Sequence, residues 1–157
     1  LDRAEQSLVF FCSRFRRFLF RVGLKLKIAA AYVLEGLFLE YAPIDRDHHA
    51  PLSCEENEKN KSQNQYIKEL IQFFGQKNAK VLDYWLDNSL FSNWTKPPKA
   101  FTADANVIQA DFDYYAELGF SDISCFACYL GEDYEALHGE PNIKPFADAF
   151  QRLNKLS

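Results

Sequence analysis

VLDYWLDNSLFSNWTKPP, residues 81–98, is the stretch on which the fold turns. A short apolar run climbs through Asp83, Tyr84 and Trp85, then breaks at Asp87, Asn88 and Ser89 into a loop holding Phe91 and Trp94. Apolar runs of this length bounded by turn residues are strands. A strand that ends in a loop rich in carboxylates and large aromatics is how α/β proteins build ligand sites. Both tryptophans of the chain, Trp85 and Trp94, fall in this stretch, which reads as the rim of a carbohydrate-type site.

Working outward, residues 60–75 are predicted to be a helix, with Tyr66, Ile67, Leu70, Ile71 and Phe74 inward and Gly75 as its stop. A helix capped by Thr102 or Asp104 and running to Leu118 presents Ile108, Phe112, Tyr115 and Leu118 to the core. Residues 122–128 (DISCFAC) are a further strand, and residues 145–156 a last helix with Phe146, Ala149, Phe150 and Leu153 inward. Upstream, residues 4–22 carry Leu8, Phe11, Phe15, Phe18, Leu19 and Val22 at helical spacing and are predicted to be a leading helix. Residues 25–32 (KLKIAAAY) and 37–42 (LFLEYA) read as strands. The four residues between them allow only an antiparallel hairpin, unless a connecting loop found in relatives is missing, because a parallel crossover needs about a dozen.

The order α-β-β-α-β-α-β-α, with long loops after the strands and short turns before them, is that of a (β/α) barrel whose site lies on the strand C-terminal face. A complete barrel takes eight strands and about 250 residues. The expectation is therefore an α/β fold, half of a (β/α)8 TIM-type barrel: about four strands with helices outside. Residues 1–24 lead into βα units over 25–156 in one domain.

The totals set the bounds. At 157 residues, with 48% hydrophobic and 25% charged, the chain can bury a full core. Fifteen phenylalanines, eight tyrosines and two tryptophans suit large buried contacts or sugar-stacking surfaces. The net charge of −4 gives no global basic field, so nucleic acid is not an expected partner. Charge is uneven: residues 1–27 carry seven basic and two acidic side chains, leaving −9 on the other 130. No apolar run approaches the roughly 20 residues of a membrane span, and the first 22 residues lack a signal-peptide pattern. Leu1 is not an initiator in a chain without methionine, which leaves a removed start or a piece of something longer. Four cysteines do not make a disulfide scaffold, and the compartment stays open.

Several stretches resemble a known family. LKIAAAY (26–32), LFLEYAPIDRDHHAPL (37–52), NAKVLDYWLDNSLFSNWTKP (78–97) and DFDYYAELGFSDISCFACYLGEDY (111–134) are similar to the C-terminal half of the barrel in the domain of unknown function 4838 family. The likeness covers most of residues 25–140 and is most specific in APIDRD (42–47) and in the YWLD-S-FS-W-KP pattern. It implies a barrel related to those of α-glucuronidases and β-hexosaminidases, a polysaccharide-associated role and a secreted or periplasmic setting. The chain departs from the family in the short VLEG link (33–36). In hexosaminidase-like barrels the acid/base carboxylate ends the fourth strand, in the half this chain does not resemble. The family carries no residue-by-residue activity to transfer.

Glycoside hydrolysis uses two carboxyl groups. Asp83, Asp45 and Asp87 are the catalytic candidates, and Val81, Asp83, Trp85 and Asp87 share one side of an extended strand. Asp83 stands mid-strand, where a carboxylate needs a partner or a polar interior; a structural ion pair with Lys25 or Lys27 is the competing account. Arg46, between Asp45 and Asp47, offers a fork for a sugar acid's carboxylate or ties those two aspartates together. His48 can hydrogen-bond hydroxyls, Trp85 and Trp94 can stack on a sugar ring, and Tyr32 and Tyr41 can donate to substrate from strand ends; core packing is the plainer role of each aromatic. His48 and His49 have no metal-ligand spacing, so no metal is expected. Cys125 and Cys128 match C-x-x-C, but on a strand they face opposite sides and read as buried thiols. Asn60-Lys61-Ser62 and Asn93-Trp94-Thr95 match the glycosylation pattern, as chance also provides. No phosphate loop, dinucleotide fingerprint or G-x-S-x-G is present, and no cofactor is expected. The function implied is a glycoside-hydrolase-like barrel acting on or binding sugars, the isolated half being without turnover. The alternative is a non-catalytic binding or scaffolding barrel, or an inactive truncated copy. The expected partners are carbohydrate and either the missing half of the barrel or a second copy.

Overall fold

The structure, a computed structural model, describes residues 6–11, 37–76, 79–120 and 122–156. Among the described residues four strands form one parallel sheet: β1 (Gln6–Phe11), β2 (Leu37–Ala42), β3 (Lys80–Asp87) and β4 (Asp122–Cys128), in the order β1-β2-β3-β4. The helices are α1 (Glu58–Phe74), α2 (Asn88–Phe91), α3 (Ala105–Glu117), α4 (Glu132–His138) and α5 (Lys144–Leu156). The α/β class read from the sequence is the class observed.

β3 is buried along nearly its whole length, as the near-continuous apolar run of a central parallel strand requires. Leu39 and Tyr41 of β2, Val81 and Trp85 of β3 and Ile123 of β4 point to one side. There they meet Ile67 and Leu70 of α1 and Ile108, Phe112 and Tyr115 of α3 in a single core. Trp85 lies 5.3 Å from Phe112 and 6.2 Å from Phe146 between ring centroids, so α3 and α5 cover the same face as α1. On the opposite face Tyr84 and Phe126 meet at 5.8 Å. A register shift between Asp83 and Leu86 inserts one extra β3 residue against β4, a bulge that bends the strand just before its site end.

Helix ends follow local chemistry. Asn57 caps α1 by accepting from Asn60 N, and Gly75 ends it at φ +80°, a left-handed conformation that side chains resist. Asp104 caps α3 by accepting from Asn106 N and Val107 N at 2.9 and 3.2 Å. Phe150 of α5, expected inward, is 43% exposed and stacks on Phe146 at 6.5 Å. Two short helices, α2 and α4, fall where the sequence reads as loop.

One expectation is corrected. Residues 6–11 are strand, where a leading helix was expected over 4–22; residues 12–22 lie outside the described residues. The run Leu8, Val9, Phe10, Phe11 is apolar without interruption and satisfies both periods, so length and partner decide. β1 and β3 flank β2, each parallel to it, in registers Gln6↔Leu37 to Phe11↔Ala42 and Glu40↔Lys80, Tyr41↔Val81. The strand expected over residues 25–32, and with it the antiparallel hairpin, lies outside the described residues. No helix among the described residues is long and apolar enough to cross a membrane.

Candidate functional site

The loop after β2 is built from its own backbone and from α1. Asn60, fully buried at the start of α1, shares its Nδ2 donors among the carbonyls of Asp47, Ala50 and Pro51 at 2.9–3.0 Å and accepts from Asp47 N at 2.8 Å. This pins residues 47–51 over the strand ends and turns Arg46 inward.

Each nitrogen of the Arg46 guanidinium donates to an internal acceptor. Nε donates to Asp83 Oδ1 at 3.2 Å, Nη1 to Ala50 O at 3.4 Å and Nη2 to Asp111 Oδ2 at 2.5 Å. Its guanidinium lies 5.9 Å from the Trp85 ring centroid. Asp83 also accepts from the Tyr115 hydroxyl at 2.7 Å, from Tyr84 N at 2.7 Å and from His48 Nε2 at 3.2 Å. Asp111 accepts from Leu52 N at 2.6 Å and from Trp85 Nε1 at 2.8 Å. The side chains of Arg46, Asp83 and Asp111 meet entirely out of solvent. Such a cluster persists only if each charge is paired and each lone pair met.

The two carboxyls are driven apart. Burial works to raise Asp83, but the Arg46 charge and the His48 and Tyr115 hydrogen bonds outweigh it and hold the carboxyl at about 2. Asp111 is raised: burial and the charge of Asp83 together exceed the pull of Arg46. Burial opposes the charge on Arg46, yet Asp83 and Asp111 keep its pKa above the ordinary value. Burial, then Asp83, pushes the Tyr115 phenol well up, so it remains a donor.

Over the C-terminal end of β3 opens a cleft of about 300 Å³, with Trp85, Phe91, Phe101, Val107 and Ile108 as apolar lining and His48, His49, Thr102 and Asp104 as polar lining. A second hollow of about 270 Å³ shares His48, His49 and Phe91 and adds Asp47, Lys59 and Asn93. The His48 ring stands edge-on to Tyr84 and Phe91, with centroids at 6.3 and 6.4 Å, and lines both hollows.

Of the residues singled out from the sequence, Arg46, His48, Asp83 and Trp85 come together. The ion-pair partner of Asp83 is Arg46; Lys25 and Lys27 lie outside the described residues. Arg46 forks onto Asp83 and Asp111 and not onto Asp45 or Asp47, and its side chain is closed off from solvent. Asp45 is exposed in the turn after β2. Asp87 is buried and caps α2, accepting from Ser89 N at 3.0 Å and Ser89 Oγ at 2.5 Å. Tyr41 is buried on the helix-covered face, its hydroxyl donating to Gln63 Oε1 at 3.1 Å. Trp94, 66% exposed at φ +54°, stands clear of both hollows. Tyr32 lies outside the described residues. Cys125 and Cys128 are free thiols, and burial pushes Cys125 up to about 12. Among the described residues no group of three or more His, Cys, Asp or Glu could hold a metal ion.

Sequence reasoning missed Asp111 and gave Tyr115 only a packing role. Asp111 sits within the stripe Ile108, Phe112, Tyr115, a carboxylate on an apolar helix face, and that position was its signal. Comparison with protein-family models, with curated proteins and with solved structures finds no match for the chain.

Proposed function

We propose that the chain forms the strand-end face of a glycosidase-like (β/α) barrel and binds carbohydrate in the cleft beside Trp85. The observation that carries this reading is the cleft itself. It is about 300 Å³, sits at the C-terminal ends of parallel strands, and combines an indole and two phenylalanines with a few polar groups. Apolar walls with sparse polar groups match the two-sided character of a sugar ring. Support for the barrel plan comes from sequential parallel strands whose helices share one face, the outcome of repeated right-handed crossovers without a switch in direction. Among the described residues β4 is the last strand of the sheet, with Phe126 exposed on it, as a sheet continued by further strands would have it, whether from the other half of a barrel or a second copy.

Binding is favoured over turnover. Hydrolysis calls for two carboxyl groups open to the substrate, about 5–9.5 Å apart. Asp83 and Asp87 are committed to internal donors, and of the three acidic candidates only Asp45 is open to a ligand.

The test uses Trp85 as reporter. In Trp94→Phe the one remaining indole lines the cleft, and its emission is followed against methyl glycosides and oligosaccharides of glucose, galactose, mannose and xylose. A saturable change is expected with at least one of them, with affinity reduced about tenfold in His48→Gln through loss of one hydrogen bond. Emission indifferent to every sugar overturns the proposal.

A further inference from the structure

We propose that His48 is a proton acceptor of fixed tautomer, held by Asp83, and that the cleft therefore selects the hydroxyl of a neutral polyol over an anionic ligand. The inference rests on the carbohydrate reading for the class of ligand but not for the state of the ring.

The argument begins at the buried end. Arg46 Nε and the Tyr115 hydroxyl both donate to Asp83, which is the setting of an ionised carboxylate, and an ionised carboxylate can only accept. His48 Nε2, 3.2 Å from Asp83 Oδ1, must then carry the hydrogen. A neutral imidazole has one N–H, so Nδ1 keeps its lone pair. No described residue hydrogen-bonds Nδ1, and the ring lines the cleft. Tyr84 and Phe91 stand edge-on to the ring, and a turn about Cβ–Cγ would carry Nε2 away from Asp83 and break that bond. The imidazole is oriented from behind by a carboxylate, which fixes the tautomer in the way outer partners fix metal-bound histidines.

Charge in the cleft points the same way. Among the described residues on its wall, Asp104 is the one that is formally charged, and it is a carboxylate. The Arg46 guanidinium is buried and held by Asp83, Asp111 and Ala50. His49 Nδ1 lies 3.1 Å from Asp47 Oδ1. Lys59 belongs to the neighbouring hollow. A lone pair and a carboxylate, with no cation among the described residues lining the cleft, invite donors and repel a carboxylate or phosphate ligand.

The experiment is long-range proton–nitrogen correlation of the imidazole rings in the uniformly labelled full chain, at a pH where histidine is neutral. The three histidines are assigned with the help of His48→Gln. The expected spectrum places His48 in the Nε2–H form alone. Methyl glucoside, methyl galactoside and methyl mannoside, each compared with glucuronate at equal concentration, then test the ligand class. A neutral glycoside should shift the Nδ1 resonance, with glucuronate binding about tenfold or more weakly. An Nδ1–H form or a tautomer mixture overturns the proposal outright. A fixed Nε2–H form with glucuronate the tighter ligand overturns the choice of ligand. A fixed Nε2–H form that no glycoside or glucuronate perturbs upholds the acceptor and sinks the carbohydrate reading instead.

Discussion

Arg46 keeps its charge in the interior because two carboxylates and a carbonyl meet its donor nitrogens. The cluster orients groups as much as it stabilises them, since two charges taken from water repay their desolvation only with full pairing. Removing the cation alone is the harsh change. Arg46→Met leaves Asp83 and Asp111 facing each other without a counter-charge, and a loss of about 3–5 kcal/mol is expected. The urea midpoint of the variant measures it. A loss below about 1 kcal/mol would mean the guanidinium is solvated and the network is not as described. The triple change Arg46→Met, Asp83→Asn, Asp111→Asn should recover much of the deficit, because it withdraws every unpaired charge.

At the scale of elements, the site is a loop hung from a helix. Asn60 on α1 holds the carbonyls of Asp47, Ala50 and Pro51 and the amide of Asp47, so one side chain sets the path of the loop that carries Arg46 and His48. Asn60→Ala strands several of these groups, each costing about 1–3 kcal/mol when left unsatisfied in the interior. Faster hydrogen exchange at the Asp47 amide, with α3 protection unchanged, is the expected pattern. Equal acceleration throughout would make Asn60 a general core residue. Burial of Asn60 also separates the two glycosylation-type matches: its amide is consumed inside the fold, whereas Asn93 is exposed.

For the whole molecule, the network writes two opposed slopes into stability against pH. Asp83 is held at about 2, below its unfolded value of about 3.9. It contributes on the order of 2–3 kcal/mol above the unfolded value, lost as pH falls through about 4 towards 2. Asp111 is raised, so the folded state holds its proton more tightly than the unfolded chain. Stability therefore declines as pH rises from the ordinary carboxylate range through its folded pKa. Urea midpoints taken from pH 2 upward should show the acid loss in the wild type. Asp111→Asn should flatten the decline on the less acidic side while leaving the acid limb. An unchanged slope in Asp111→Asn would place the titration elsewhere.

The sequence by itself determined what is local. β2 and β4 span the bounds expected of them, and β3, α1 and α3 fall within two residues of theirs, because apolar spacing, Asp104 as the cap of α3 and Gly75 as the stop of α1 act over a few residues. A carboxylate at position 83 announced the need for a partner, since a buried charge cannot stand alone. Tertiary structure decided everything that depends on residues distant in the chain. Gln6–Phe11 is a strand because β2 offers it an edge, and its uninterrupted apolar run carries no period to say so. Arg46, 37 residues from Asp83, and Asp111, 65 from Arg46, meet only when β2, β3 and α3 are packed together. That packing closes Asp83 off from solvent and leaves the ring of His48 at the cleft wall, because side-chain access is set by what covers a strand end and not by the strand's own residues.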